Sequence, residues 1–191
     1  SLNGGAESLK YYASAGYMDQ GGNLRFGDDK YQRFTFTGKV NSELSKYIDL
    51  NASAKFIRSE LDNPFYMENS GLLFHDIARI WPMMPFKDPN GHYMRNGKIN
   101  QLIDGGRSLR NNDNLYGQFQ VIIKPLKGWN IVGESGIRVI NQNDKRNLGR
   151  VFEHNVQGEP LPLPFDGNNP AGSTFAYTGF SNVNFYTNNL Y

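Results

Sequence analysis

The residues of this chain that could do acid–base or metal chemistry are few and scattered. Three histidines, His75, His92 and His154, each stand without a second histidine or a cysteine at ligand spacing, and the chain has no cysteine. A transition-metal site needs several such ligands converging on one point, so this spacing predicts no metal and no cofactor; the histidines read as loop and helix-surface residues. The "DPNG" stretch from Asp88 to Gly91 has the oxygen-rich look of a calcium loop but lacks the rest of that pattern and its closing glutamate, so it reads as a turn. Glu60, Asp62 and Glu68 could supply a carboxylate pair for glycoside hydrolysis, yet sequence alone fixes no separation between them. No nucleophile elbow joins a serine to a histidine and an acid. The chain is therefore expected not to be an enzyme.

Binding chemistry is better represented. Trp81, Phe86 and Tyr93 fall in a proline-punctuated stretch of a long loop, where rigid aromatic rings can stack on a sugar. The same three rings can instead serve as the loop's own miniature core, since long loops need internal packing to stay ordered. Arg107, in "DGGRSLR", carries a planar fork suited to a carboxylate or to sugar hydroxyls. A net charge of +2 gives no electrostatic reason to expect a nucleic-acid partner.

The elements that must hold these side chains read as strands. Hydrophobic residues make up only 38% of the chain and its mean hydropathy is −0.59, while aromatics reach 14%, a combination that favours β structure over helix. No apolar run approaches the ~20 residues of a membrane helix, and no secretory leader is read at Ser1. Residues 9 to 18 place Tyr11, Ala13, Ala15 and Tyr17 on one face, and Tyr31 to Asn41 do the same with Phe34, Phe36, Gly38 and Val40. Ile48 to Phe56, Asn114 to Lys124 and Trp129 to Val139 continue the alternation, and a sixth strand begins near Asn182. The connections read as about 12 residues, about 4, more than about 50, about 4 and about 40, so tight turns ("SELSK", "PLKG") and long excursions fall at opposite ends. Transmembrane β-barrels are built that way, from strands of ~10 residues with short turns on one side of the membrane and long loops on the other.

Alternation alone suits a soluble carbohydrate-binding β-sandwich equally well. The polar face favours a barrel wall, because it carries Lys, Arg, Asp, Asn or Thr in nearly every strand, which a wet lumen accommodates. Tyr11, Tyr47 and Trp129 lie beside the short turns, and Tyr17 and Tyr31 beside a long loop, as two interfacial aromatic girdles would. Phe36, Leu50, Phe119 and Val121 are then expected on one continuous lipid-facing surface with no second layer over it. One short helix is expected at about residues 70 to 80, capped by Asn69 or Ser70, with Leu73, Ile77 and Ile80 on one face and Pro82 stopping it.

Longer stretches carry a family resemblance. A glycine-glycine turn at Gly4 and Gly5, then "YYASAGYMDQGG", then "YQRFTFTGKVNSEL" leading to a strand that ends near Phe56, resemble a segment of the SusC-like (RagA-like) TonB-dependent outer-membrane transporters. "ARIWPMMPFKDPNGHY" resembles that family's helix-then-proline loop, and "NNDNLYGQFQVIIKPLKGWNIVGESG" its next hairpin. The resemblance covers most of residues 1 to about 140 and is weaker over 150 to 180. It implies part of a barrel with an N-terminal plug in the outer membrane of a Gram-negative bacterium. Such a transporter imports oligosaccharide or peptide cargo with energy relayed by TonB through the plug, and it works with a SusD-like surface lipoprotein that the loop aromatics could contact. On this reading residues 1–191 are one partial barrel domain, without the plug and without enough strands to close: an all-β, antiparallel up-and-down transmembrane β-barrel segment of about five to six strands, with long extracellular loops and one short loop helix.

Overall fold

The computed structural model describes residues 1–70, 73–94, 98–162 and 177–190. Seven strands, β1 (Leu2–Ala6), β2 (Leu9–Gly21), β3 (Lys30–Ser45), β4 (Ile48–Pro64), β5 (Gly106–Ile123), β6 (Ile131–Leu148) and β9 (Tyr177–Leu190), form one antiparallel sheet in that order. The short strands β7 (Phe152–His154) and β8 (Pro160–Pro162) pair with each other in a separate ribbon. Each strand of the large sheet lies beside its neighbours in sequence, the up-and-down order that the turn spacing predicts. The sheet is open, with β1 and β9 at its edges.

Several expectations need correction. The sheet has seven strands, because Gly4 and Gly5 lie inside β1, paired with Tyr11 and Lys10, and the turn falls at Glu7 and Ser8 instead. Arg107 belongs to β5 and Trp129 to the turn before β6. Strands β3 to β6 run to 16, 17, 18 and 18 residues, well past the segments read from alternation. The single expected helix is joined by two others: α1 (Phe65–Ser70), α2 (Leu73–Ala78) and α3 (Ile99–Asp104). Asn69 and Ser70 form the end of α1 rather than a cap in front of α2; their side chains, and that of Leu73, lie outside the described residues.

Pairing register shows why the strands outrun their apolar stretches. Directly paired residues share a face, so the sheet can be read as rows running across it. On one face the rows Tyr11–Val40–Ala52–Phe119–Ser135–Leu190, Ala13–Gly38–Ala54–Gly117–Ile137–Asn188 and Ala15–Phe36–Phe56–Leu115–Val139–Tyr186 are apolar apart from Ser135 and Asn188. The next row toward the long loops is Tyr17–Phe34–Arg58–Asp113–Asn141–Asn184, and the one after it Asp19–Gln32–Glu60–Asn111–Asn143–Asn182. Apolar character ends there, on a bidentate ion pair between Arg58 and Asp113 with both bonds at 2.7 Å. From Ile48 to Phe56 the apolar run of β4 advances eight residues. At ~3.4 Å per residue and a ~40° tilt that spans ~21 Å, close to the ~25 Å apolar belt of a membrane barrel. The residues beyond are mostly polar on both faces, with Tyr31, Leu61 and Leu109 among the exceptions, as strand extensions partly standing in water allow.

The apolar face is uncovered. Phe36 is 52% and Phe119 47% exposed, Leu50 and Val121 are half-buried, and among the described residues no second sheet packs over them. The chain exposes 12725 Å², whereas a compact globule of 21.6 kDa would expose ~9,200 Å². Among the described residues a buried cluster of Phe65, Tyr66, Leu102 and Leu148, with Leu24, Phe26 and Met67 against it, sits at the long-loop end. Tyr11 and Tyr17 share the apolar face, Tyr17 stacking on Phe34 at 4.8 Å, and Tyr47 and Trp129 lie exposed in short turns. Tyr31 is a correction: three residues before Phe34, it falls on the opposite face, in the row of Gln20, Leu61, Arg110 and Asp144.

Candidate functional site

Two surfaces carry the residues of interest, the loop end and the polar face. At the loop end the chain leaves β4 through Pro64, Phe65 and Tyr66, all buried, and returns to β5 through α3 and Gly106. Gly106 has φ +97°, and a Cβ there would meet the Asn147 carbonyl at 1.9 Å, so only glycine lets α3 hand the chain to β5 this close to β6. Asn100 Nδ2 donates to the Phe152 carbonyl at 3.4 Å, Asn90 Nδ2 to that of Val156 at 3.3 Å, and the Gly149 N–H to that of Gly105 at 3.1 Å. The second and third long connections are thereby fastened together.

"DPNG" is the turn expected. The Asp88 N–H donates to the His92 carbonyl at 2.9 Å and the Gly91 N–H to the Asp88 carbonyl at 3.0 Å, the Asp88 carboxylate accepts the His92 N–H at 2.9 Å and faces its Nδ1 at 3.1 Å, and Gly91 takes φ +93°. Packing of neighbouring chain pushes the Asp88 carboxyl upward, but the bonds and charge of His92, together with the Asn90 N–H, outweigh it and hold the group below the usual carboxylate range. His92 and His154, far apart in sequence, stack face to face with centroids 3.7 Å apart. Among the described residues no three metal-ligating side chains converge.

The candidate aromatics separate. Trp81 and Phe86 are 66% and 56% exposed and line an apolar hollow of about 430 Å³, with Ile77, Ile80, Pro82, Met84, Leu102 and Phe26 among its walls. Tyr93 meets the Phe26 ring edge-on at 5.4 Å beneath the Lys87 ammonium. The loop's packed core is built from Phe65, Tyr66 and Leu102, not from these three rings. Arg107 lies in the face register of Pro64 and Asn147, and its fork is engaged: it binds Asp62 at 2.9 and 2.7 Å and donates to the Gly27 carbonyl. That engagement ties the first long connection to β4 and β5.

The polar face holds a group that sequence reading did not single out. The rows Ser14–Thr37–Lys55–Tyr116–Arg138–Thr187 and Tyr12–Lys39–Ser53–Gln118–Gly136–Asn189 cross it at the level of the apolar belt. They line a hollow of about 660 Å³, and a second one of about 340 Å³ continues it past Asn41, Asn51 and Gln120. Asn51 donates to Gln120 at 2.8 Å, and the Glu134 carboxylate accepts from Gln118 at 2.6 Å and from Gln120 at 3.3 Å. The Arg138 guanidinium lies 5.4 Å from the Tyr116 ring centroid. In sequence each of these is a single polar residue of an alternating strand; only register brings them onto three adjacent rows, the third being Asn41–Asn51–Gln120–Glu134. No protein-family model matches this chain, and no curated protein sequence matches it significantly.

Proposed function

We propose that this chain is a stretch of the wall of an outer-membrane β-barrel transporter of the SusC-like, TonB-dependent kind, importing glycans or peptides. The observation that carries the reading is the belt: a single-layer sheet whose one face is apolar over ~21 Å, uncovered, and bounded abruptly by the Arg58–Asp113 row. A soluble sandwich would place that face against a second sheet. The opposite face is polar and hollowed, as the lining of an aqueous lumen is, and the long connections gather at one end, where cargo and a surface lipoprotein would be met. The open edges β1 and β9 are then completed by further strands, since unpaired N–H and C=O groups are not tolerated in lipid. TonB would act on such a barrel through its plug.

Single-cysteine labelling tests the reading cleanly, because the chain has no cysteine of its own. With the protein in native membranes, Phe36→Cys and Phe119→Cys should react with an apolar, lipid-partitioning maleimide and resist a charged one, while Ser53→Cys should react with the charged reagent. Equal reaction of all three with the charged reagent, or recovery of the chain as a soluble monomer without detergent, would refute it.

A further inference from the structure

Two groups of cations in this sheet contrast in their surroundings; Lys10, Arg33, Lys145 and Arg146 belong to neither. Lys30, Arg58, Arg107, Arg110 and Lys124 each lie within 3.4 Å of an aspartate oxygen, and all five stand above or below the belt. Lys39, Lys55 and Arg138 stand at belt level on the polar face, and among the described residues none of them has a carboxylate within ion-pair distance. Lys39 pairs across the ladder with Ser53 and Lys55 with Thr37, which makes the two lysines diagonal neighbours, ~7–8 Å apart at their stems. Arg138 lies two strands from Lys55 in the same row, ~10 Å away, with the Tyr116 ring between them. The one carboxylate lining the same hollow, Glu134, already accepts from Gln118 and Gln120.

Three like charges this close, exposed around one hollow, repel one another, the more so at low salt. An anion held among them would relieve that repulsion. The other side chains of the hollow, Thr37, Ser53, Gln118, Thr187 and Asn189, are uncharged hydroxyls and amides, suited to the hydroxyl groups of a sugar and to no further charge. We infer that this hollow is a binding site for an acidic oligosaccharide, with carboxylate or sulfate groups on Lys39, Lys55 and Arg138 and ring hydroxyls on the hydroxyl and amide side chains. The inference rests on the polar face lining a lumen, and it adds to that reading the chemical class of the cargo.

The test uses the intact transporter that contains this chain, purified in detergent, with three probes of equal length: an oligogalacturonate, a neutral oligogalactose and an oligoglutamate. The expected result is that oligogalacturonate binds, that binding weakens as salt rises, and that Lys39→Gln and Lys55→Gln each weaken it by roughly tenfold, the size of one charge-assisted contact. Neutral oligogalactose should bind no better to wild type than to the double variant. Equal binding of the neutral and acidic sugars, or tighter binding of oligoglutamate, overturns the assignment. So does failure of the double variant to assemble, since the lysines would then be neutralised by another part of the protein. Wild-type protein that inserts normally and shows no acidic preference, or variants that bind oligogalacturonate as tightly as wild type, remove this inference alone; a chain that never reaches the membrane removes the transporter reading beneath it.

Discussion

Asp88 shows how one side chain organises a loop with no helix or strand to lean on. Its carboxylate accepts from the His92 N–H and faces the His92 ring, closing a turn whose third residue, Asn90, donates to the Val156 carbonyl of the next connection. Because its pKa is depressed in the folded chain, the stability it contributes is present above its unfolded pKa and is lost as pH falls through the lower, folded value. The turn should therefore hold from neutrality down to about pH 4 and loosen only below it. Followed by NMR, the His92 amide resonance should shift with a midpoint below that of an ordinary aspartate, and Asp88→Asn should abolish the shift. A midpoint above about 4 would contradict this account.

Among the elements, the joint between α3 and β5 is the least forgiving. Gly106 combines a left-handed backbone with a 1.9 Å approach to the Asn147 carbonyl, so Gly106→Ala strains both the local dihedral and the β5–β6 pairing. The dihedral alone costs about 1–3 kcal/mol, and the clash adds to it. Gly136, in β6 on the polar face, has open space where its Cβ would go, so Gly136→Ala serves as the control. Thermal unfolding of the assembled protein should show a clear fall in midpoint for the first and little change for the second. Matching midpoints would mean that the joint is not the constraint described.

For the whole molecule, the governing fact is that one layer of sheet has two faces of opposite character and, among the described residues, no second sheet over either. Ala54 lies in the middle of the apolar belt, in the row of Gly38, Gly117 and Ile137. An arginine there should cost about 2–4 kcal/mol if lipid is the neighbour at that depth and next to nothing if water is. Ala54→Arg should accordingly depress the folded yield in membranes several-fold, whereas Ser53→Arg, one residue along and on the wet face, should be tolerated. Folding titrations into lipid vesicles would show the difference, and equal yields would count against a lipid-facing belt.

Much of this was legible without coordinates. Period-two alternation in residues 48 to 56 and 114 to 124 defines strands and separates their faces, and the unequal spacing of turns gives the up-and-down order, because both depend only on neighbours along the chain. The parity that places Tyr31 opposite Phe34 was equally available in the sequence. The length of β5 and β6 was not: beyond Leu115 and Val139 both faces turn polar, alternation fades, and pairing with the neighbouring strand keeps the chain extended. Nor could sequence separate the ion-paired Arg107 from Lys39, Lys55 and Arg138, which have no carboxylate partner among the described residues, since each is one basic residue in a strand. Register across several strands, which sums long-range pairings and leaves no local trace, sends Arg107 to Asp62 and sets the other three around one hollow. The stack of His92 on His154 has the same origin, two loops brought together only after β4, β5 and β6 have paired.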